Sequence, residues 1–407
     1  MRSPRSLLAL LALALAVPLA APAARAESWC AYPLWVHEWG VHVFASDGAP
    51  AKVDPLPGYF HRPSQRRGGA PAGPVRGLPA DNGVRTLPVV HFYSAGSLSS
   101  PIPVGLEVGF RDGAASAWFP EVDRLEPAVR ANGPAAVAGR QALLAARAAR
   151  EGRYDPKLGA LPPDPTRQLV WDRLELTRAP VAKPAASGGA AWVDEVRGFG
   201  DALWVNARGE SERFAFYEAD TAEKTPLALG RGDTFGPGRR HYVLVNRGAH
   251  AVHDVLFVHR EAGRVYVFAA PMIPAGKSAG FLVEDHLVAP ADVEAATAGQ
   301  LRRWLVDPKT PAAPKDYRWD HDDCVMMRDP AVPVEAAAGY RLYASEVEAI
   351  LHAWGPRFFG QDGTTVVYRE DERLLDAVMP ISVYTDMFNF VVLNRAGLAV
   401  WEHVVLP

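Results

Sequence analysis

Two histidines and a glutamate lie close together near the start of the chain, in the order His37-Glu38-x-x-x-His42. Imidazole and carboxylate groups are common ligands of divalent metals. The helical zinc motif His-Glu-x-x-His places its histidines four residues apart on one face, but here they are five apart. The surrounding run is β-branched and aromatic, which favours a strand. A strand puts Glu38 and His42 on one face, about 13 Å apart at about 3.3 Å per residue, and His37 on the other.

A second acidic cluster with a histidine comes late in the chain. It reads Asp320-His321-Asp322-Asp323-Cys324. Three carboxylates and an imidazole could hold calcium or a transition metal, although the glycine and the distant glutamate of an EF-hand are missing. The alternative is an acidic loop that pairs with Arg318 and Arg328.

The first 26 residues have the pattern of a secretory signal peptide. Two arginines precede an apolar stretch, and small residues place the cleavage site after Ala26. We therefore predict an exported protein, periplasmic or extracellular. The chain has two cysteines, Cys30 and Cys324, which in an oxidising compartment are candidates for one disulfide. Two buried thiols are the alternative.

Such a disulfide would bring the two polar clusters together, because bonded cysteines have Cα atoms about 4.4–6.8 Å apart. A joint site then becomes possible. Its candidate metal ligands are His37, Glu38, His42, Asp320, His321 and Asp322. A divalent metal there could activate water, with Glu38 or an aspartate as the base. No other cofactor is predicted.

Composition excludes some classes of partner. The formal net charge of −3 disfavours nucleic acid, which selects a basic surface. The signal's apolar run is too short for a membrane span, and no later stretch reaches 18 apolar residues, so no transmembrane segment is expected in the mature chain. The expected partner is an unidentified ligand of the envelope or the extracellular medium.

The chain reads as mainly β with some helix, an α+β protein with an antiparallel sandwich-like core. The predicted division follows composition and turn signals. It comprises the signal peptide 1–26, an N-terminal β region 27–120 with a Gly/Pro/Arg-rich loop 46–85, a helical or linker segment 121–164, a β-sandwich-like domain 165–289, and an α+β C-terminal region 290–407.

Helix signals are clearest in the last of these regions. Pro290 opens one helix, Ser345 with Glu348 forms a capping box before a second, and 370–378 predicts a third. The segments 243–252 and 391–400 share an Asn-Arg pair between apolar runs. The repeated pair predicts a similar turn in each segment, because Asn favours turns by its local chemistry. The alternative is that the two segments arose by duplication.

The run WVHEWGVHVF resembles the opening of a family of exported bacterial proteins of unknown function, whose mature N-terminus carries a His-Glu-Trp-Gly-Thr-Phe-Thr-like motif. His37, Glu38, Trp39 and Gly40 match, while Val41-His42-Val43 departs from the motif. Later blocks match the family in order. They are LPVVHFYSA, RFAFYEA and AWGPRFFGQDGTTVVYREDERLLDAVMPISV. The resemblance implies export and a shared architecture but no chemistry.

No intact catalytic motif accompanies these features. The leading hypothesis is therefore a non-catalytic binding or structural module of the cell envelope. The alternatives are a metal-dependent hydrolase that uses the joint site near Cys30 and Cys324, and a glycan-binding protein that uses some of the eleven tryptophans as a stacking face.

Overall fold

The structure is a computed structural model that describes residues 34–49, 56–62, 83–94, 101–110, 113–125, 168–221, 224–306, 339–385 and 391–407. The predicted signal peptide, Cys30, Cys324 and the Asp320–Cys324 cluster lie outside the described residues. Within the described ranges, no helix is long and apolar enough to cross a membrane.

A nine-stranded sheet forms the centre of the fold. In spatial order its strands are β15 (Leu287–Val288), β13 (Arg264–Ile273), β12 (Val252–Glu261), β16 (Gly363–Glu370), β18 (Val391–Trp401), β1 (Leu34–Phe44), β2 (Gly83–Tyr93), β9 (Ala215–Thr221) and β4 (Gly113–Phe119). β1 and β18 pair in parallel, while the other pairs in this sheet are antiparallel. The predicted segments 27–120, 165–289 and 290–407 all contribute strands to it.

Two smaller antiparallel sheets complete the β architecture. The six-stranded sheet contains β17 (Ile381–Tyr384), β3 (Ile102–Gly109), β6 (Gln168–Thr177), β7 (Trp204–Ala207) and β8 (Glu210–Glu212), with β5 (Arg124–Leu125) paired to β6. The three-stranded sheet contains β10 (Leu227–Arg231), β11 (His241–Asn246) and β14 (Ser278–Leu282). The prediction of a mainly β, α+β protein with sandwich-like sheets is thus confirmed.

Five α-helices are described. They are α1 (Ala191–Arg197), α2 (Val293–Ala296), α3 (Ala298–Leu305), α4 (Ala344–Phe359) and α5 (Glu372–Val378), and two 3₁₀ turns, Val283–His286 and Pro290–Asp292, precede α2. The prediction of a helical region after Pro290 is confirmed, although a non-helical Thr297 divides it.

The start of α4 differs from its prediction. The predicted capping box at Ser345 and Glu348 is wrong, because the helix begins at Ala344 and the carboxylate of Glu346 accepts a hydrogen bond from the Tyr343 backbone N–H at 2.9 Å. Glu348 instead pairs with Arg302 on α3. The three-residue spacing of a capping box is kept, two positions earlier.

The two faces of the central sheet are covered differently. On one face, Trp35, Trp39 and Val43 of β1 share a core with α1, α3 and α4. On the other face Leu34 and Val36 belong to a core with the six-stranded sheet, while Phe44 belongs to a separate core with the three-stranded sheet. The middle of β1 therefore crosses a gap between two apolar cores, and Glu38, Gly40 and His42 lie in that gap.

Candidate functional site

β1 is an interior strand with both faces covered, and its alternation sends neighbouring side chains to opposite sides. His37 contacts α4, and Glu38 contacts β18 on the other face. Glu38 and His42 line one small cavity together. The prediction that Glu38 and His42 share one face and His37 occupies the other is confirmed.

On the helical face, His37 forms a short hydrogen bond with Glu346 of α4. The distance from His37 Nδ1 to Glu346 Oε2 is 2.6 Å, and both side chains are almost fully buried. Two hydrogen bonds determine how the side-chain amide of Asn394 is oriented. Its oxygen accepts from the Gly339 N–H, and its NH₂ donates to the Arg341 carbonyl oxygen. The same NH₂ faces His37 Nε2 at 3.4 Å, so Nε2 is the acceptor and Nδ1–H donates to Glu346.

Glu346 also accepts from Tyr93, whose hydroxyl donates to Oε1 at 2.8 Å. Burial by itself would raise the pKa of Glu346, but the interactions with His37, His91 and the Tyr343 N–H outweigh it and hold the pKa below the usual range. Burial and the adjacent carboxylate raise the pKa of Tyr93 well above its usual value. Glu346 is therefore a carboxylate that joins α4 to β1 and β2.

His91 lies beside this group and is fully buried. Its Nδ1–H donates to the Arg213 carbonyl oxygen at 3.2 Å. Burial is the main cause that lowers the pKa of His91 to about 4, so the imidazole is neutral at neutral pH. Its ring packs against Trp39 and Phe199.

On the opposite face, Glu38 and Arg395 form a buried ion pair. The parallel register of β1 and β18 sets these residues directly opposite each other. Arg395 binds both carboxylate oxygens of Glu38, and the Tyr217 hydroxyl donates to the same carboxylate. Arg395 also donates to Asp376 at 2.5 Å and to the Met379 carbonyl oxygen at 2.8 Å.

These contacts determine the charge states in the gap. Burial by itself lowers the pKa of Arg395, but Glu38 and Asp376 outweigh it and raise that pKa well above the usual value. Burial is the larger cause, and the charge of Glu38 the next, that raises the pKa of Tyr217 well above its usual value. The guanidinium is thus charged, the phenol is neutral, and Glu38 accepts three hydrogen bonds from these two internal partners.

The cavity beside this ion pair is very small. Its volume is about 20 Å³, and Glu38, His42 and Glu370 are its ionisable lining residues. A buried water needs about 10–15 Å³ by the same measure, so this cavity has room for about one water molecule. Gly40 and Gly397 face each other here in the β1–β18 register, and Leu375 of α5 fills the space beside Gly397.

The structure therefore separates His37 from Glu38 and His42, the other described members of the predicted metal site, which line one cavity. The sheet lies between His37 and the other two residues, Glu38 is bound by Arg395, and His42 Nδ1 lies 3.6 Å from Glu370 Oε1. Within the described ranges, no group of three or more His, Cys, Asp or Glu residues is arranged to hold a metal ion. The joint site with Asp320, His321 and Asp322 stays a prediction, because those residues lie outside the described part of the chain.

Sequence reasoning missed the partners of Glu38 and His37, above all Arg395 and Glu346. The one sequence feature that pointed to this part of β18 was the Asn394-Arg395 pair, and it predicted a turn. That prediction is wrong, because β18 continues unbroken through both residues. The equivalent pair at 246–247 does end strand β11. Residues 394 and 395 stay extended because their side chains satisfy buried partners on opposite faces of the sheet.

A larger open groove lies on the helical side of the molecule, between α1, α2–α3 and α4. Its volume is about 900 Å³, which lies within the range of about 300–1,000 Å³ typical of ligand sites. The lining residues are Asp194, Glu195, Gly198, Phe199, Glu294, Ala298, Arg302, Ser345, Glu348, Ala349, Leu351 and His352. Phe199, Ala349 and Leu351 are buried and form an apolar floor.

The charges of the groove are mostly negative. Among the described lining residues there are four carboxylates, against one guanidinium, that of Arg302, and the imidazole of His352. Arg302 bridges Glu294 and Glu348, at 2.5 Å from the latter, and His352 lies 3.5 Å from Glu195. The groove therefore has more anionic than cationic side chains around an apolar floor.

The tryptophans of the described ranges do not form a stacking face on this groove. Seven of them are buried, namely Trp35, Trp39, Trp118, Trp171, Trp204, Trp354 and Trp401. Trp192 and Trp304 are partly buried and pack against the helical core. No Trp or Tyr is among the groove's described lining residues.

Comparison with protein-family models finds no match to this chain, and comparison with curated proteins finds none either. The resemblance of the His37–Gly40 segment to an exported family accordingly stays a prediction.

Proposed function

We propose that this protein is an exported, non-catalytic binding protein of the cell envelope, and that its ligand occupies the groove between α1, α3 and α4. The observation that carries this proposal is the contrast between two cavities. The groove has a volume of about 900 Å³, whereas the cavity beside the Glu38 ion pair has about 20 Å³.

The polar residues of β1 have structural partners, which supports a non-catalytic role for them. Glu38 is bound by Arg395 and Tyr217, and His37 by Glu346 and Asn394. A general base needs to reach a proton of the substrate within about 2.6–3.2 Å. Side chains only 2–4% exposed, beside a space for one water, give a substrate no such approach.

The charge of the groove indicates the class of ligand. Exposed carboxylates around an apolar floor attract a ligand with amino or guanidino groups on aliphatic carbons, such as a lysine-rich peptide. The attraction between exposed charges is modest and screened by salt. Burial of the ligand's methylene groups against Phe199 and Leu351 would add to it.

A titration calorimetry experiment with tetralysine tests the proposal. Glu195→Gln combined with Glu348→Gln removes one carboxylate from each wall. At about 0.5–1 kcal/mol per charge contact, tetralysine binding should weaken about fivefold to thirtyfold. Glu175→Gln is the matched control, because Glu175 is exposed on β6 and does not line the groove. Absence of tetralysine binding at low salt, or equal weakening in the control, would contradict the proposal.

The two alternatives have tests of their own. A metal-dependent hydrolase requires the 320–322 cluster, so metal analysis of the purified protein and melting with and without chelator decide that alternative. A glycan-binding protein requires exposed aromatic rings in one groove. The buried tryptophans of the described residues give that alternative no support.

A further inference from the structure

The strand β10 is an edge of the three-stranded sheet. It has β11 on one side and, in the described part of the chain, no strand on the other side. β10 ends at Arg231, and the side chains of Arg231, Asp233 and Phe235 are exposed where the chain leaves the strand. An edge of this kind presents unpaired backbone N–H and C=O groups to a further strand.

The ladder between β10 and β11 determines which backbone groups face outward. The Gly232 N–H donates to the His241 carbonyl oxygen at 2.9 Å. Hydrogen-bonded and non-hydrogen-bonded positions alternate in an antiparallel ladder, so Gly232 directs its backbone groups at β11, while Arg231 and Asp233 direct theirs outward. None of residues 231–235 has a left-handed φ, so their backbone is compatible with extended pairing.

Arg231 and Asp233 also differ in charge pairing from the other arm of the same hairpin. That arm has its charges paired inside the chain, namely Arg239 with Asp285 at 2.7 Å, and Arg240 with Glu284 at 2.7 Å and with Glu261 at 2.8 Å. Neither Arg231 nor Asp233 has an ion pair or a side-chain hydrogen bond with another of the described residues. Their opposite charges are therefore available to a partner.

The segment Arg231-Gly232-Asp233 is complementary to a second copy of itself that runs in the opposite direction. Outward-facing residues must meet outward-facing residues, so the two-fold axis of such a pair passes through a residue. An axis at Gly232 sets Arg231 of each copy opposite Asp233 of the other, with Cβ atoms about 4.5–5.5 Å apart, which an ion pair can bridge. An axis at Arg231 would instead oppose two arginines.

The residue at this axis has no side chain that could keep two copies apart. A Cβ at Gly232 would lie 2.2 Å from His241 Nδ1, so the chain's own packing requires glycine there. Facing residues at a non-hydrogen-bonded position approach to about 4.5 Å between Cα atoms, which glycine permits. Like charges on an edge strand repel a second copy, whereas the opposite charges of Arg231 and Asp233 attract one.

We propose that the edge of β10 at residues 231–233 binds a second copy of this chain, by antiparallel pairing about Gly232 with two reciprocal ion pairs between Arg231 and Asp233. The charge pattern selects a second copy, because the copy supplies both complementary charges at the required positions. The pairing joins two three-stranded sheets into one sheet, and it does not depend on the groove or on its ligand.

Sedimentation equilibrium of the full chain at low salt tests this surface. We expect the unmodified chain to form a dimer. Arg231→Asp and Asp233→Arg should each weaken dimerisation about thirtyfold, because each turns both ion pairs into pairs of like charge. An equimolar mixture of the two variants should dimerise again, because one copy then supplies two carboxylates and the other two guanidinium groups. Recovery in the mixture also shows that both variants are folded.

Lys277→Asp is the matched control. Lys277 is exposed and precedes β14, the other edge of the same sheet, and this variant makes the same change of charge as Arg231→Asp. It should leave dimerisation unchanged. The proposal is overturned by a monomeric unmodified chain, by a dimer that both charge reversals leave unchanged, or by a mixture of the two reversals that does not recover the dimer.

Discussion

The buried carboxylate of Glu346 should dominate the attachment of α4 to the central sheet. Its side chain is fully buried and accepts three hydrogen bonds, from His37 Nδ1, the Tyr93 hydroxyl and the Tyr343 N–H. We expect Glu346→Gln to lower the free energy of unfolding substantially at neutral pH. Glutamine keeps the size of the side chain and its ability to form a capping box, so the loss isolates the buried charge.

The magnitude follows from the partners. A hydrogen bond to a charged group contributes about 1.5–3 kcal/mol, against about 0.5–1.5 kcal/mol for a bond between neutral groups, so each of the three bonds to Glu346 should weaken by about 1 kcal/mol. In the orientation that keeps the capping box, the glutamine oxygen accepts from the Tyr343 N–H and from His37 Nδ1–H, and its NH₂ faces the Tyr93 hydroxyl, which loses its carboxylate acceptor. We therefore expect a loss of about 3 kcal/mol for Glu346→Gln.

Glu348→Gln is the matched control on the same helix. Glu348 pairs with Arg302, and the two side chains are 54% and 35% exposed. Ion pairs of this kind contribute about 0–1 kcal/mol. Urea unfolding followed by circular dichroism measures both variants. A difference below about 1 kcal/mol between the two would refute the reasoning.

The pH dependence adds an independent check. Because the folded-state pKa of Glu346 is held below the usual 4.5, its contribution is complete above about pH 4.5 and is lost as the pH falls through the folded-state pKa. The stability difference between the unmodified chain and Glu346→Gln should therefore be constant at neutral pH and shrink in acid. A difference that grows as the pH falls would contradict the assigned charge.

Two further predictions concern the gap on the other face. Arg395→Met should lower the free energy of unfolding in urea by about 3–5 kcal/mol, because it leaves Glu38 buried without a cation. The double variant Arg395→Met with Glu38→Gln should recover part of this loss. If it recovers none, the ion pair is not the cause. Gly397→Ala should cost about 1–3 kcal/mol, because its Cβ would lie 2.9 Å from Leu375 Cδ2 and 3.0 Å from Glu370 Oε2. Gly200→Ala, at an exposed glycine where a Cβ meets nothing within 4 Å outside its chain neighbours and φ is not left-handed, should instead be neutral or stabilising, and equal losses in the two variants would refute the close approach.

Much of the secondary structure was predictable from local pattern. β-branched and aromatic runs with turn residues between them indicated the strands, and Pro290 and the 370–378 run indicated helices. The alternation of side chains along β1 also predicted that His37 lies on one face of the sheet and that Glu38 and His42 lie on the other. These features depend on neighbours a few residues apart, so the sequence by itself determined them.

The partners of those side chains were decided by tertiary structure. Glu38 and Arg395 are 357 positions apart and meet only because the first and last described strands pair in parallel. His37 and Glu346 meet because α4 packs on that strand from the other side. Neither pairing leaves a local pattern. Asn394-Arg395 was predicted as a turn because, without its buried partners, an Asn-Arg pair favours one, and only the central sheet supplies the hydrogen bonds that keep it extended.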